Sequence, residues 1–318
     1  MSSPRAPRDV TVQRYLTRRL LLMVPVLIGV TVLTFLMRVL VPGDPIEVMT
    51  FGQFATPEVK AELRRQYGLD KPVATQYAIF MARLARGDLG TSIRTRQPVA
   101  WELAVLYPRT LRLAAAAMLV AVTLGLVLGV LAAVRRDTWV DLLAMVAATI
   151  GVSMPSFWLG LVLMRTFGVR LALLPVMGSE TWAHLVLPAS TLGLIFSAIL
   201  ARLTRSNMLE VLGADYIRTA RAKGLRERVV VWRHALKNAA IPVLTVAGLQ
   251  FGFLLGGAFI VETVFSYHGV GELAIKSILF RDFPMIQGIT LLVALTTVGV
   301  NLLVDLLYVV LNPQVRYE

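Results

Sequence analysis

The sequence of 318 residues contains no cysteine and few charged side chains. The absence of cysteine excludes a disulfide framework, a thiolate zinc site, an iron–sulfur cluster and a cysteine nucleophile. Only 16% of the residues are charged and 57% are apolar, whereas soluble domains average about 25% and about 45–50%. This composition excludes a disordered or collagen-like chain and indicates a membrane protein.

Patterns typical of catalysis are also scarce. None of the three histidines lies in the middle of a long apolar segment. Residues 151–153 (Gly-Val-Ser) resemble the start of an intramembrane serine-protease motif, but no histidine is placed to activate the Ser153 hydroxyl at membrane depth. Motifs that bind zinc, nucleotide phosphates or calcium do not occur. We therefore expect no catalysis and no metal or cofactor bound by this chain, and we interpret Ser153, Pro155 and Ser156 as a kink.

Long apolar segments are what the chain has in abundance. Six segments of 17 to 23 residues carry no charge, close to the ~20 residues that cross a ~30 Å hydrocarbon core as a helix. Backbone polar groups cannot stay unpaired in lipid, so these segments predict an all-α membrane protein with six transmembrane helices. The first segment is too long for the apolar core of a signal peptide and lacks an A-x-A site, so we expect it to be retained. The six segments are residues 20–37, 113–134, 142–164, 185–201, 239–261 and 283–304.

The distribution of lysine and arginine predicts the orientation. One side of the predicted spans carries 17 of the 32 basic residues, and the two short loops on the other side carry 4. The remaining 11 lie in residues 38–112, a segment longer than the ~60 residues over which the positive-inside rule is counted. Both termini are therefore predicted to be cytoplasmic. Because the basic residues follow topology, nucleic-acid binding is not needed to explain the net charge of +13.

The segment between the first two predicted spans shows signs of helical structure. Thr56 and Pro57 are suited to begin a helix that ends before Gly68, and a second helix is predicted from residue 73 to residue 86, before Gly87. Such a segment either covers the outer mouth of the spans or docks a soluble partner. The predicted organisation is a cytoplasmic tail at 1–19, a first span at 20–40, an extracytoplasmic helical loop at 41–109, and a core domain at 110–318 that contains a cytoplasmic loop at 203–240.

The cytoplasmic loop predicts two short helices. Residues 215–223 are predicted to form a helix that ends at Gly224, where a glycine in the left-handed region closes many helices. A second helix is predicted over residues 227–240. These helices would form a compact knob, although an ordinary basic inner loop explains the composition equally well. Two predicted faces are Tyr216, Thr219, Ala220 and Lys223 on the first helix, and Val229, Trp232, Leu236 and Ala240 on the second.

Residues 215–225 (DYIRTARAKGL) resemble the cytoplasmic coupling motif of ABC importer permeases, in particular the dipeptide, oligopeptide, nickel and glutathione group. The resemblance extends along nearly the whole chain. It includes RYLTRRL at 14–20, PGDP at 42–45, GDLGTS at 87–92, RLTRS at 202–206, ETVFS at 262–266, GVG at 269–271 and NPQVRY at 312–317. Residues 218–220 (Arg-Thr-Ala) depart from the Glu-Ala-Ala of the general importer motif, and Asn312 and His268 stand where aspartate and proline are common.

The resemblance implies a type I ABC importer permease fold in the cytoplasmic membrane. It implies half of an ATP-driven translocation pathway for short peptides, or for glutathione or nickel chelates, with ATP and Mg bound by other subunits. The implied partners are a second homologous permease, two cytoplasmic ABC ATPases and an extracytoplasmic substrate-binding protein. The residues implied in ATPase coupling are Tyr216, Arg218, Thr219, Ala220, Arg221, Ala222, Lys223 and Gly224.

Five residues in the last two spans are candidates for the translocation path. Gln250 and Asn301 are polar groups within apolar segments, and they either line the path or hydrogen-bond between helices. Gly252 and Gly256 continue a stripe from Gly248, which permits either a sliding contact or static packing. Glu262 ends the fifth span, and a structural role is the alternative for it. Gly125 and Gly129 have no polar neighbours, so we expect static packing there.

An ATP-independent channel or secondary transporter is the competing function. That class of protein is expected to carry titratable groups within its spans for ion coupling. The six uncharged segments argue against it. A scaffold protein, which would carry no cargo at all, is a third hypothesis.

Overall fold

The computed structural model describes residues 8–40, 46–47, 56–66 and 68–311, and this part of the chain is helical. Its only β pairing is an isolated bridge between Thr91 and Pro98. The helices are α1 (Arg8–Leu40), α2 (Pro57–Gln66), α3 (Val73–Leu84), α4 (Val99–Val134), α5 (Trp139–Ser153), α6 (Ser156–Leu163), α7 (Trp182–Leu212), α8 (Asp215–Ala222), α9 (Leu236–Val264), α10 (Val270–Leu279) and α11 (Phe283–Leu311). Two π-helices, Met164–Arg170 and Val230–Ala235, follow α6 and precede α9.

Five of the described helices are long and apolar enough to cross a membrane. These are α1, α4, α7, the continuous helix that includes Glu227–Gly256, and α11. The predicted third span is divided into two helical parts. The first is α5, the second is α6 with the π-helix that follows it, and the angle between the two is 109°. The prediction of an all-α membrane protein is confirmed, and the count reaches six when the bent pair is taken as one span.

The break in the third span has a local cause. Met154 adopts extended backbone angles (φ −78°, ψ 129°) between the two helices. A residue before proline is pushed out of the α region by the proline ring, and Pro155 also lacks an N–H to continue the hydrogen-bond ladder. The kink expected at Ser153, Pro155 and Ser156 is therefore a full interruption.

The described residues form two compact units, the first comprising residues up to 108 together with 273–298. In this first unit α3 packs on the C-terminal half of α1. The Tyr77 hydroxyl lies 2.9 Å from the Thr31 hydroxyl, and the rings of Phe35 and Tyr77 meet edge to face at 5.3 Å. The two helices predicted in this segment are confirmed, and the glycines after them, Gly68 and Gly87, have φ of +64° and +76°.

A buried carboxylate fixes the loop that joins α3 to α4. Asp282 accepts hydrogen bonds from the Ser92 hydroxyl, from the backbone N–H groups of Ile93 (3.1 Å) and Arg94 (3.3 Å), and from the N–H of Met285 (3.3 Å). The same side chain thus satisfies the first turn of α11 and a loop about 190 positions earlier in the sequence.

The second unit comprises residues 109–272 and those from 299 onward. Its largest apolar cluster joins α4, α7 and α9, and includes Leu113, Leu192, Leu254, Val261 and Phe265. Helices α4 and α7 approach closely where glycines remove the side chain. A Cβ atom at Gly125 would lie 2.6 Å from Leu200 Cβ, and one at Gly193 would lie 2.6 Å from Val120 Cβ. Gly125 and Gly129 therefore serve packing, as the sequence indicates.

Candidate functional site

The predicted coupling segment forms a short helix with a glycine turn. Helix α8 spans Asp215–Ala222, Lys223 follows it as the C-cap, and Gly224 has φ of +78°. The left-handed conformation predicted for Gly224 is confirmed. The N–H of Gly224 donates to the carbonyl of Arg221 at 2.9 Å, which closes the last turn.

The side chains of α8 divide into an exposed and a buried face. Ile217 is 0% exposed and Ala220 is 7% exposed. Both pack in an apolar cluster with Met208, Val230 and Val231. The predicted common face of Tyr216, Thr219, Ala220 and Lys223 is therefore wrong at Ala220. This residue lies with Ile217 on the buried face of the helix. The other seven residues implied in coupling are exposed, namely Tyr216, Arg218, Thr219, Arg221, Ala222, Lys223 and Gly224.

The sequence offered a clue to the inward face. Ile217 is the only large aliphatic residue between Asp215 and Gly224, and an aliphatic side chain in a polar helix marks the buried side. Pairing it with the residue three positions later identifies Ala220 as its neighbour.

The second half of the knob differs from the predicted regular helix. A single turn, Glu227–Val229, passes into the π-helix Val230–Ala235 and then directly into α9. The wider π turns change the register of the buried face. The predicted apolar stripe of Val229, Trp232, Leu236 and Ala240 is not the face buried within the protein, where the buried residues are Val230, Val231, Ala235 and Ala239.

Hydrogen bonds tie the two halves of the knob together. Asn238 Nδ2, in the first turn of α9, donates to the Tyr216 hydroxyl at 2.8 Å. Arg221 binds both carboxylate oxygens of Glu227, at 2.8 and 3.2 Å. The pKa of Arg221 is raised because this hydrogen bonding to a carboxylate favours the charged guanidinium. The exposed face of α8 is thus connected to a membrane-spanning helix through packed and hydrogen-bonded contacts.

The candidate path residues occupy different environments within the second unit. Gln250 is only 7% exposed, and its Oε1 has no hydrogen-bond partner among the described residues. Asn301 is half-buried and Gly252 is buried. A side chain at Gly248 would collide with Val304, whereas Gly256 is exposed with open space beside it. The glycine stripe on α9 is therefore a packing contact at one end and an open surface at the other.

Glu262 is enclosed by the protein. Its side chain is 0% exposed. One carboxylate oxygen accepts from the Thr110 hydroxyl at 2.8 Å, and the other accepts from the N–H groups of Gly271 (2.7 Å) and Glu272 (3.1 Å). These N–H groups belong to the first turn of α10, where a carboxylate complements the helix dipole. The structure thus gives Glu262 no surface on an open path and favours the structural alternative. The sequence did not predict that Thr110 and Gly271 donate hydrogen bonds to Glu262.

The remaining ionisable residues are arranged as isolated contacts in the described parts of the chain. No group of three or more histidine, aspartate or glutamate side chains there could hold a metal ion. The ion pair of Arg205 with Asp141, at 2.6 Å, joins α7 to the first turn of α5. These observations define a polytopic helical membrane protein with a hydrogen-bonded knob between two spans.

Comparison with known proteins identifies the family. Residues 125–317 match the family described as binding-protein-dependent transport system inner membrane component, and residues 12–114 match the N-terminal part of such components. The chain belongs to this family of ABC importer permeases, which confirms the resemblance found in the sequence.

Two relatives match over nearly their whole length. The glutathione transport system permease protein GsiC of Pectobacterium atrosepticum is 45% identical over 304 residues, which cover 96% of this chain and 99% of that protein. The dipeptide transport system permease protein DppB of Alkalihalophilus pseudofirmus is 44% identical over 331 residues, covering 95% and 99%.

Solved structures of lower identity share the fold. An inward-facing structure of the MetNI methionine ABC transporter aligns with a TM-score of 0.57 and 19% identity, covering 67% of this chain and 97% of that one. An amino acid ABC transporter aligns with a TM-score of 0.52 and 18% identity, covering 65% and 92%. These alignments confirm the type I permease fold.

Proposed function

We propose that this chain is the transmembrane subunit that forms half of an ATP-driven import pathway for short peptides or glutathione. The observation that carries the proposal is the full-length similarity to permeases of glutathione and dipeptide transport systems. The proposed partners are a second permease, two cytoplasmic ATPases that bind ATP and Mg, and an extracytoplasmic binding protein. Both termini lie in the cytoplasm, and the complex resides in the cytoplasmic membrane.

In the proposed mechanism, the exposed face of α8 contacts an ATPase subunit. Movement of the ATPases on nucleotide binding displaces α8. The Asn238–Tyr216 hydrogen bond and the apolar cluster around Ile217 carry this displacement to α9. The knob and the span then move as one body, which is the physical requirement for coupling two distant sites.

Substitution of Thr219 with tryptophan tests the coupling surface. Thr219 is exposed, and it lies away from the buried pair Ile217 and Ala220. A bulky ring there obstructs a docked ATPase and leaves the internal packing of the knob intact. We expect cargo-stimulated ATP hydrolysis and uptake in reconstituted vesicles to fall at least tenfold.

The matched control is Arg136→Trp, at an exposed position on a different inner loop. We expect it to retain uptake. Normal stimulated hydrolysis in the Thr219→Trp complex would contradict the coupling role of α8. Uptake that persists in the absence of the ATPases would instead favour the channel or secondary transporter.

The absence of cysteine makes the topology directly measurable. Single cysteines introduced at Arg86 and Arg136 have no background thiols to compete for a maleimide reagent. In intact cells we expect a membrane-impermeant maleimide to label Arg86→Cys and to leave Arg136→Cys unlabelled until the membrane is opened. The reverse pattern would contradict the proposed orientation.

A further inference from the structure

The first unit contains an apolar groove that the proposed transport function does not use. The groove has a volume of about 440 Å³, within the ~300–1,000 Å³ typical of ligand-sized clefts. It lies among α1, the end of α3, the start of α4 and the first half of α11. Its aliphatic wall includes Leu27, Leu84, Leu103, Leu291, Leu292 and Leu295.

The groove follows the direction of the spans. On α1 the groove lining extends over one turn, from Leu27 to Thr31, and on α11 over two turns, from Gly288 to Leu295. The longer of these stretches is ~10 Å at a rise of 1.5 Å per residue, about a third of a ~30 Å hydrocarbon core. Arg38 lies outside the groove lining, two turns beyond Thr31 on α1.

The polar atoms in the groove wall are satisfied within the protein. The Thr31 hydroxyl donates to the carbonyl of Ile28 at 2.7 Å and also contacts the Tyr77 hydroxyl. The Tyr107 hydroxyl pairs with that of Thr296 at 2.6 Å. With these groups paired, the groove presents aliphatic surface and no polar group that needs a ligand, which suits a hydrocarbon chain.

A second cavity, of about 120 Å³, is lined by both apolar and charged side chains and shares Leu89 with the groove. Arg38 and Arg83 line this cavity, and neither forms an ion pair among the described residues. The Arg38 guanidinium is held in place by Gln76, which accepts a hydrogen bond from it, and by the Phe35 ring at 5.0 Å. One acidic residue, Asp88, also lines the cavity, and its carboxylate accepts from the Gly90 N–H at 2.8 Å. The cavity keeps a net positive charge.

We propose that the groove and the cavity together bind one anionic phospholipid. Its phosphate lies between Arg38 and Arg83, since guanidinium groups match phosphate oxygens in geometry and charge. One acyl chain fills the groove down to Leu27. A peptide or a free anion would use the second cavity alone, whereas a phospholipid matches both the arginines of that cavity and the apolar groove that shares Leu89 with it.

Native mass spectrometry of the full-length chain, purified with its copurifying subunits, tests the charge component. The probes are phosphatidylglycerol and phosphatidylcholine with identical acyl chains. We expect wild-type protein to retain one phosphatidylglycerol with at least tenfold preference over phosphatidylcholine. The double substitution Arg38→Gln and Arg83→Gln is expected to reduce this preference at least fivefold. Arg86 is an exposed arginine outside the cavity, and we expect Arg86→Gln to leave the preference unchanged.

A second pair of variants tests the groove. Ala104 lines the groove and is exposed, so Ala104→Trp fills the space for the acyl chain, whereas the adjacent exposed Val105 lies outside the lining. We expect Ala104→Trp to reduce retention of both lipids at least fivefold and Val105→Trp to have no effect. Leu295, which is 53% exposed, supplies an equivalent groove-filling variant if Ala104→Trp lowers the yield of intact complex.

Three outcomes would overturn the proposal. The first is equal retention of the two lipids by wild-type protein, and the second is undiminished retention when the groove is filled. The third is displacement of the lipid by an equal concentration of glycerol phosphate, because that result would identify an anion site that does not need the acyl chain.

Discussion

Replacement of Gly129 with leucine is expected to abolish accumulation of the folded protein. A Cβ atom at this position would lie 2.6 Å from the carbonyl oxygen of Ala201 and closer still to Thr204 Cβ. Overpacking of a core typically destabilises by about 1–3 kcal/mol, because side chains shift to make room. Here the obstacle includes the backbone of α7, which cannot rotate away, so we expect a larger loss. The amount of intact protein in the membrane should fall at least tenfold.

Gly256→Leu is the matched control for Gly129→Leu. Gly256 also lies in a membrane-spanning helix, but it is exposed and a Cβ atom there would meet nothing within 4 Å. We expect normal amounts of protein, measured by immunoblotting of membranes and by the yield after purification. Equal reductions for the two variants would show that the close approach of α4 and α7 is not what constrains Gly129.

The features that could be predicted from the sequence are those with local causes. A glycine after a helical segment predicts a left-handed residue because only glycine lacks the Cβ atom that opposes it. Gly68, Gly87 and Gly224 all have positive φ. Pro155 likewise marks the break in the third span, although its angle of 109° depends on packing that the sequence does not express.

The features that the sequence did not reveal depend on distant contacts or on changes of helical register. The π-helix before α9 has no signature in the residue pattern, and the residues buried there, Val230 and Val231, differ from those of the predicted apolar stripe. The hydrogen-bond partners of buried carboxylates are equally hard to predict, because the position of an acidic residue at the end of a span does not indicate which N–H groups will donate to it. Asp282 and Ser92 are 190 positions apart, and no local rule pairs them.

Glu262 illustrates this limitation and gives the second large prediction. Its carboxylate accepts three hydrogen bonds, from the Thr110 hydroxyl and from two N–H groups of α10. The Thr110 oxygen in turn accepts from the Val270 N–H at 2.9 Å. A Cβ atom at Gly269 would lie 2.6 Å from the Glu262 carboxyl carbon, so the turn before α10 fits closely around this side chain. Glu262 therefore holds together the end of α9, the start of α10 and α4.

The substitution Glu262→Gln preserves size and replaces one accepting oxygen with a donating amide. At least one of the three donors then loses its acceptor, and each buried group left without a partner costs about 1–3 kcal/mol. We expect the thermal unfolding midpoint of the purified protein to fall by at least about 5 °C. Glu210→Gln, at an exposed position of α7, is the matched control and should leave the midpoint unchanged.

The two roles considered for Glu262 predict different results for this variant. If Glu262 contacts cargo in the path, Glu262→Gln should alter uptake while the unfolding midpoint stays that of the wild type. If it fixes the turn between α9 and α10, stability should fall, and Thr110→Ser, which retains the hydroxyl that bonds to Glu262, should keep nearly the wild-type midpoint. Because the carboxylate is 0% exposed and accepts hydrogen bonds from Thr110, Gly271 and Glu272, we expect the second result. An unchanged midpoint in Glu262→Gln, with uptake lost, would return Glu262 to the translocation path.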